Sequence, residues 1–392
     1  VRIAWTIALG LLRRRGTALL RTSAVAAVSA VALGIAALVV VLALMNGYRE
    51  ALRKGILSGS GHVVALFPAV PGEAERQRLY AAAAKLDGTT GLSEALYLPG
   101  LLVGSAGRCE AVQVKAARTQ APFVHLQPSE GGPLGVAIGA GLASSLGLRV
   151  GQLTSVQLFL ETRGLAVVPV RVEDVFASGF AELDDRWVFA PLSGLEARLP
   201  GVAPSAFEIF LANPDRAEVA RRELEDSGVR GVLLTTWEEG NRSLFAALRW
   251  QKLSLLLVLS LVVGVGAFEV ASALVVLVTE KRRDVGVILA MGGTPSLVRE
   301  VLLVAGGAMG AAGVLIGLAL GVLVTVLMGW LGQPHFPREI ASIYMVERIP
   351  FLVRPADLGL VGAVGLAEVV LAAWMPAVRT AAREPSEVLR WV

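Results

Sequence analysis

Four long apolar runs, at residues 22–45, 253–278, 301–328 and 356–376, with a gap of about two hundred residues after the first, constrain this chain more than any other feature. A helix rising 1.5 Å per residue crosses a bilayer core of about 30 Å in roughly 20 residues, and each run reaches that length. The expected fold is an α-helical membrane protein with four transmembrane helices and a large extramembrane α/β domain inserted between helices 1 and 2. Composition agrees, because 55% hydrophobic and 17% charged residues exceed what a soluble core consumes. The surplus is lipid-facing surface.

The basic residues set the orientation. Arg13, Arg14, Arg15 and Arg21 precede the first run, which is longer than the apolar core of a cleaved signal peptide and reads as an anchor. Residues 1–21, with Trp5, Ile7 and Leu11, suit a helix lying at the interface. Lys281, Arg282, Arg283 and Arg299 flank the middle runs, and Arg379, Arg383 and Arg390 follow the last. Short basic segments stay in the cytoplasm. The expected order is helix 1 at 22–47, an outer domain at 48–250, helix 2 at 251–279, a cytoplasmic segment at 280–300, helix 3 at 301–329, an outer loop at 330–355, helix 4 at 356–377 and a tail at 378–392, with both termini cytoplasmic. Arg338, Arg348 and Arg354 in the outer loop run against the bias and are only partly offset by Glu339 and Glu347. The net charge of +4 comes from residues beside the runs, not from a basic stripe, so nucleic acid is not an expected partner.

In the outer segment, apolar alternation over 154–160 and 166–172 around Arg163-Gly164 predicts a hairpin. Helices are expected at 73–86 and at 216–227, the latter after Asn213-Pro214-Asp215 and ending at Gly228. Residues 138–147 read as a short helix closed by glycine. That glycine string lacks the Gly-Lys-Ser/Thr ending of a phosphate loop, and no such ending occurs in the chain. ATP, if used, is therefore hydrolysed by a partner. Cys109 is the single cysteine and reads as a small apolar filler; with His62, His125 and His335 scattered, no metal site is expected. Asp184-Asp185 and Glu238-Glu239 read as solvated pairs, and no catalytic set points to an enzyme.

The third run carries Gly306, Gly310, Gly313, Gly317 and Gly321 near one helix face, and Ala26, Ala30 and Gly34 repeat the device in the first. Small residues let helices approach closely in lipid, within one subunit or between two. Glu269 and Glu368 sit inside apolar runs, where an acid costs about 2.5–3.5 kcal/mol, so both are expected to face a bundle interior or a wet cavity. Each reads either as a polar spot of a substrate or proton-linked site or as a hydrogen bond between helices. Residues 279–292 place charges first, then apolar residues, then Gly292: a short amphipathic helix at the cytoplasmic surface that could rest on headgroups or fit a partner's groove.

Fragments along nearly the whole chain resemble, in order, the LolC/LolE-type permeases of lipoprotein-releasing ABC transporters. They are residues 8–15, 32–37, Met45-Asn46-Gly47-Tyr48, Ile56-Leu57, Gly61-His62-Val63, 139–151, 175–179 with Glu182-Leu183-Asp184, and Thr236-Trp237 leading to Asn241 and Leu244-Phe245. The most specific are Glu280, Lys281, Arg282, Arg283, Asp284 and Val285 with Met291 and Gly292, and the tail 376–381 with 385–390. The resemblance implies an inner-membrane permease with a MacB-like periplasmic domain, dimeric with a second protomer and bound by two copies of an ATPase subunit that holds ATP and Mg, this chain having no cofactor. It implies that the 280–292 helix couples the ATPase to the membrane helices. It also implies that triacylated lipoprotein cargo enters sideways from the outer leaflet and leaves to a periplasmic carrier. Met45, Val262, Phe268 and Glu269 are the expected substrate cavity. The chain departs from the pattern in carrying acids at 269 and 368 and in a short hairpin around 159–167. The alternatives are a MacB-like exporter of peptides or small molecules and an FtsX-like regulator of a periplasmic enzyme.

Overall fold

The computed structural model describes residues 18–67, 71–119, 121, 123–126, 132–160, 164–229, 231–331, 345 and 350–381. Most of the interfacial helix expected at 1–21 lies outside them, as do Arg163, His335, Arg338, Arg348, Arg383 and Arg390. The chain divides into two compact units: Val1–Tyr48, Ala247–Gln333 and Pro350–Val392 form one, Arg49–Ala246 and Pro334–Ile349 the other.

The first unit is built from α1 (Ala18–Gly59) as far as Tyr48, α8 (Arg242–Glu280) from Ala247 on, α9 (Arg282–Ala290), α10 (Pro295–Trp330) and α11 (Pro355–Ala381); the remaining ends of α1 and α8 belong to the second. Among the described residues α1, α8, α10 and α11 are long and apolar enough to cross a membrane. Helix α1 runs on to Gly59, past the boundary expected at residue 47, because 48–58 contains no proline and stops only at Gly59-Ser60-Gly61. Helix α10 starts on Thr294, whose hydroxyl accepts from the Leu297 N–H, with Pro295 at the first helical position. Ile35, Leu38, Leu42, Val263, Val270, Leu274, Val314, Val361 and Val369 fill the bundle core.

Glycines set the helix spacing. A Cβ at Gly310 would lie 2.2 Å from Val369 Cγ1, and one at Gly306 would lie 2.8 Å from Leu274 and 3.0 Å from Ala373. Gly313, Gly317 and Gly321 press on Val31, Ile35 and Val39 of α1. The five-glycine stripe is thus consumed by packing within one chain. Gly34 and Gly266 bring α1 and α8 together, Gly34 against Val263 and Gly266 against the backbone of Ala30 and Val31.

The second unit holds β1 (Val63–Leu66), α2 (Glu73–Ala83), β2 (Thr89–Val103), β3 (Cys109–Ala117), β4 (Leu134–Gly139), α3 (Ala140–Leu146), β5 (Leu153–Leu160), β6 (Gly164–Phe176), α4 (Ala181–Arg186), β7 (Trp187–Pro191), α5 (Leu192–Arg198), β8 (Ala206–Leu211), α6 (Ala217–Asp226), β9 (Leu233–Thr236) and α7 (Trp237–Gly240). The sheet order is β3-β7-β4-β6-β5-β2-β8-β1-β9, and β2 also pairs with β3. That second pairing closes β3, β7, β4, β6, β5 and β2 into a barrel. Strand β2 is long enough for both tasks: 95–103 pairs with β3, and 89–95 pairs with β8. The β3–β7 and β4–β6 pairs are parallel. Leu98, Leu102, Val114, Ile138, Leu158, Val170 and Val188 fill the core around which the barrel closes.

The expected hairpin is β5–β6, in the register Thr154↔Val170 to Leu160↔Gly164, with Gly164 in the left-handed region. The expected helices are α2, α3 and α6. Gly147 closes α3 at φ 65°, and the Asn213 side chain accepts from the Asp215 N–H in the turn before α6.

Candidate functional site

Helix α9 presents two faces. Val285 and Leu289 pack on Val298 and Leu302 of α10 and Ala377 of α11, so the helix is seated on the ends of two membrane spans. Away from that contact Arg282 and Arg283 are exposed, Val287 is 52% exposed and Met291 83%. Asp284 Oδ2 lies 3.8 Å from Lys281 Nζ across the first turn, and Gly292, at φ 90°, ends the segment. Nearby, the Arg299 guanidinium lies 5.9 Å from the Trp374 ring centre. Two guanidinium groups at the start of the helix and an exposed valine and thioether toward its end suit an apolar groove with an acidic rim at one end.

The expected cavity residues separate. Met45 on α1 is half-buried, whereas Val262 and Phe268 are 50% and 69% exposed on α8. Glu269 is exposed too, which corrects the expectation that it faces the interior of this bundle. The inward stripe of α8 is Val263, Ala267, Val270 and Leu274, and residue 269 lies about 100° around the helix from 270. Glu368 is half-buried; its Oε2 has no hydrogen-bond partner among the described residues and lies 4.0 Å from where a Cβ on Gly264 would stand.

Three polar residues at one end of the bundle escaped the sequence reading. Lys252 Nζ on α8 donates to Asp357 Oδ1 at 2.9 Å and Oδ2 at 3.2 Å on α11, and to Asn46 Oδ1 at 3.1 Å on α1. Asn46 Nδ2 donates to Asp357 Oδ2 at 2.5 Å and to the Leu352 carbonyl at 3.4 Å. The available signal was positional: a lysine just before the second run, an aspartate at the start of the fourth, and the asparagine of Met45-Asn46-Gly47. Gly47 is required because a Cβ there would stand 1.4 Å from the Pro350 carbonyl oxygen.

In the second unit, the end of α1 is tied to the barrel by buried charge. Lys115 Nζ donates to the Gly59 carbonyl at 2.9 Å and to Glu208 Oε1 at 2.8 Å. The same oxygen accepts from the Gly61 N–H at 3.0 Å and from the Tyr97 hydroxyl. Burial and the Glu208 charge together push the Tyr97 phenol far above its ordinary range. Tyr97 also lines an outer groove of about 490 Å³ with Leu101, Gln113, Phe159, Arg186 and Trp187.

Two expectations for this unit fail. Asp184 is 2% exposed rather than solvated, because it accepts from the Ser178 N–H and hydroxyl at 2.8 Å each and from the Gly179 N–H at 3.1 Å, holding the turn before α4. Cys109 is exposed at the start of β3, not an apolar filler. Among the described residues no group of three or more His, Cys, Asp and Glu side chains could hold a metal. His62 Nδ1 instead accepts from the Leu211 N–H at 2.9 Å, and its pKa is lowered, mainly by burial.

Residues 24–227 match the MacB-like periplasmic core domain, and 256–385 match the FtsX-like permease C-terminal region. The chain is 25% identical to the lipoprotein-releasing system transmembrane protein LolC of Neisseria meningitidis serogroup B, over 93% of each protein. It is 24% identical to the corresponding LolE of Haemophilus influenzae, over 92% of each. The periplasmic region of MacB from Actinobacillus actinomycetemcomitans aligns over 48% of this chain and 95% of its own length, at 11% identity and a TM-score of 0.30.

Proposed function

The chain belongs to the MacB-like periplasmic core domain family, and from that premise we propose that it is the permease subunit of an ABC transporter that extracts lipoproteins from the outer leaflet of the bacterial inner membrane. Both termini lie in the cytoplasm, and the α/β unit is the periplasmic insert between spans α1 and α8. Two copies of a separate ATPase bind a dimer of permease protomers and hold the ATP and Mg. The cargo passes toward the outer membrane, by way of a periplasmic carrier. Similarity to LolC and LolE over nearly the whole chain supports the class of cargo.

The single observation that carries the mechanism is the two-faced helix α9. Its inner face is packed on α10 and α11, while Arg282, Arg283, Val287 and Met291 face outward. A partner that grips the outer face moves both spans, because the inner face leaves no slack between helix and bundle. The chain supplies the lever and the partner supplies the hydrolysis.

Reversing charge in the double variant R282E/R283E tests this. Co-purification of the ATPase and ATP-dependent lipoprotein release should fall by about tenfold or more, the weight of one lost charge-assisted contact, while membrane insertion is unchanged. Unchanged coupling in that variant would remove the mechanism. Photo-crosslinking from Met45, Val262 and Phe268 should yield lipoprotein adducts, since an exposed apolar face of α8 suits acyl chains. Adducts to a cell-wall hydrolase with none to lipoprotein would favour the FtsX-like reading instead.

A further inference from the structure

The sheet of the α/β unit leaves one short edge open beside its groove. Strand β3 pairs with β2 along its whole length, from Cys109↔Val103 to Ala117↔Ala95, but its ladder to β7 begins only at Gln113. The Gly104 N–H donates to the Arg108 carbonyl at 2.6 Å, which fixes the phase of the β2–β3 ladder. Glu110 and Val112 exchange bonds with β2, whereas Cys109 and Ala111 stand in the non-bonded pairs and turn their N–H and C=O groups the other way. Pro99, which has no N–H, fits the same phase, since it stands opposite Gln113 in a non-bonded pair. Cys109, Glu110 and Ala111 are exposed, and among the described residues no other backbone segment bonds the outward groups of Cys109 and Ala111.

Ala111 also lines the groove of about 490 Å³, with Leu101, Gln113, Phe159 and Trp187. One wall of it is set in advance. Tyr97 is held from behind by the bond from its hydroxyl to Glu208, its ring meets Trp187 edge to face at 6.1 Å, and Trp187 lies 5.9 Å from Phe189. Glu182 and Arg186, also in the lining, carry opposite charges, so the groove selects no net charge.

We propose that the open edge of β3 and this groove form an acceptor site for one extended segment of a partner polypeptide, which adds a short strand beside Cys109–Val112 and sets an apolar side chain against Trp187. The edge identifies the class of ligand. Outward N–H and C=O groups on alternate residues call for a matching row of acceptors and donors, which an acyl chain lacks and a second backbone has. Four residues span about 13 Å, room for two such rungs. The side chains of Cys109 and Ala111 are small, so an incoming strand meets no bulk beside them. Every second side chain of that strand falls on the outer face, where the groove lies. The ladder gives affinity and the groove selects the side chain. The site belongs to the α/β unit alone and stands or falls apart from the permease assignment.

The full-length chain in lipid nanodiscs, read against empty nanodiscs, provides the test. The probes are three neutral dye-labelled pentapeptides that alternate threonine with valine, leucine or phenylalanine, each with two counterparts N-methylated on one or the other alternate set of backbone amides. At least one parent peptide should bind saturably by fluorescence anisotropy. Methylation of the set facing β3 should weaken it by about tenfold or more, the weight of one or two ladder bonds, and methylation of the other set should be tolerated. Hydrogen exchange of the Cys109 and Ala111 amides should slow on binding, while Glu110 and Val112, already bonded to β2, stay as they were. Ala111→Pro, which removes an N–H that β2 does not use, should weaken binding to a similar degree. Absence of saturable binding by all three parents overturns the proposal. So do equal affinities of a parent and both methylated forms, which would mark an apolar patch without a ladder, exchange protection that does not alternate, and unchanged affinity in Ala111→Pro.

Discussion

At the scale of single residues, the buried charges of the α/β unit serve geometry. Lys115 and Glu208, 4% and 0% exposed, meet at the end of α1, where the last carbonyls of a helix lack partners. Removing one member strands the other, at a cost of about 3–5 kcal/mol, whereas an apolar pair of similar volume is often neutral. Lys115→Met should therefore lower the denaturation midpoint of this unit sharply, and the double variant K115M/E208Q should recover most of the loss, since the amide keeps an oxygen for the Gly61 N–H and the Tyr97 hydroxyl and sheds the stranded charge; additive losses in urea titration would contradict a coupled pair. His62 acts in the opposite direction to a salt-bridged histidine. Its folded pKa is lowered below the ordinary 6.5, so its contribution to stability is complete above about pH 6.5 and drains away as the pH falls through the folded value. The Tm should drop more between pH 7 and 5 in the parent than in His62→Asn, whose amide oxygen can take over the Leu211 N–H.

At the scale of elements, the glycine stripe of α10 can be read position by position. Val369, which has no solvent exposure, would lie 2.2 Å from a Cβ on Gly310, while a Cβ at Gly307 meets nothing within 4 Å. Gly310→Ala should destabilise the bundle by about 1–3 kcal/mol through overpacking, and Gly307→Ala should be neutral or gain up to about 1 kcal/mol from helix propensity. Thermal melts of the two variants in detergent separate these outcomes, and equal effects would contradict the packing. The four spans were legible in the sequence because lipid tolerates only long uninterrupted apolar helices. Helix ends were not: α1 reaches Gly59 and α8 begins at Arg242, because polar sequence carries no mark of the bilayer boundary. The β5–β6 hairpin was legible from local alternation, but barrel closure depends on one strand pairing with three others, which no local pattern encodes. The same holds for the sites. Helix α9 announced itself by charge, apolar run and glycine in fourteen consecutive residues, whereas Lys252 and Asp357 are separated by 105 positions. Glu269 lies outside the bundle core, because depth in an apolar run does not fix the angle around the helix.

At the scale of the whole chain, each of the two units has its own core. The bundle is closed by Val263, Leu274, Val314 and their neighbours, the barrel by Leu102, Ile138, Leu158 and theirs. Two cores imply two cooperative transitions, provided the cut between them falls where the packing does. The tail of α1 belongs with the barrel: Gly55 lies against the Phe180 ring and Gly59 against Leu183, and the Gly59 carbonyl is the partner of buried Lys115. An excised fragment of residues 49–246 should therefore be soluble and unfold in one cooperative step. Among the described residues it gives up the bond from the Ala181 N–H to the Met345 carbonyl at 3.1 Å, worth about 0.5–1.5 kcal/mol, which lowers its Tm by about 1–6 °C against the matching transition of the intact protein. A fragment of residues 62–246 uncovers Phe180 and Leu183 and removes a partner of Lys115, and should lose cooperativity and bind hydrophobic dye. Circular dichroism melts of both fragments decide the matter. Equal cooperativity in the two would mean that the helix tail is an appendage of the barrel.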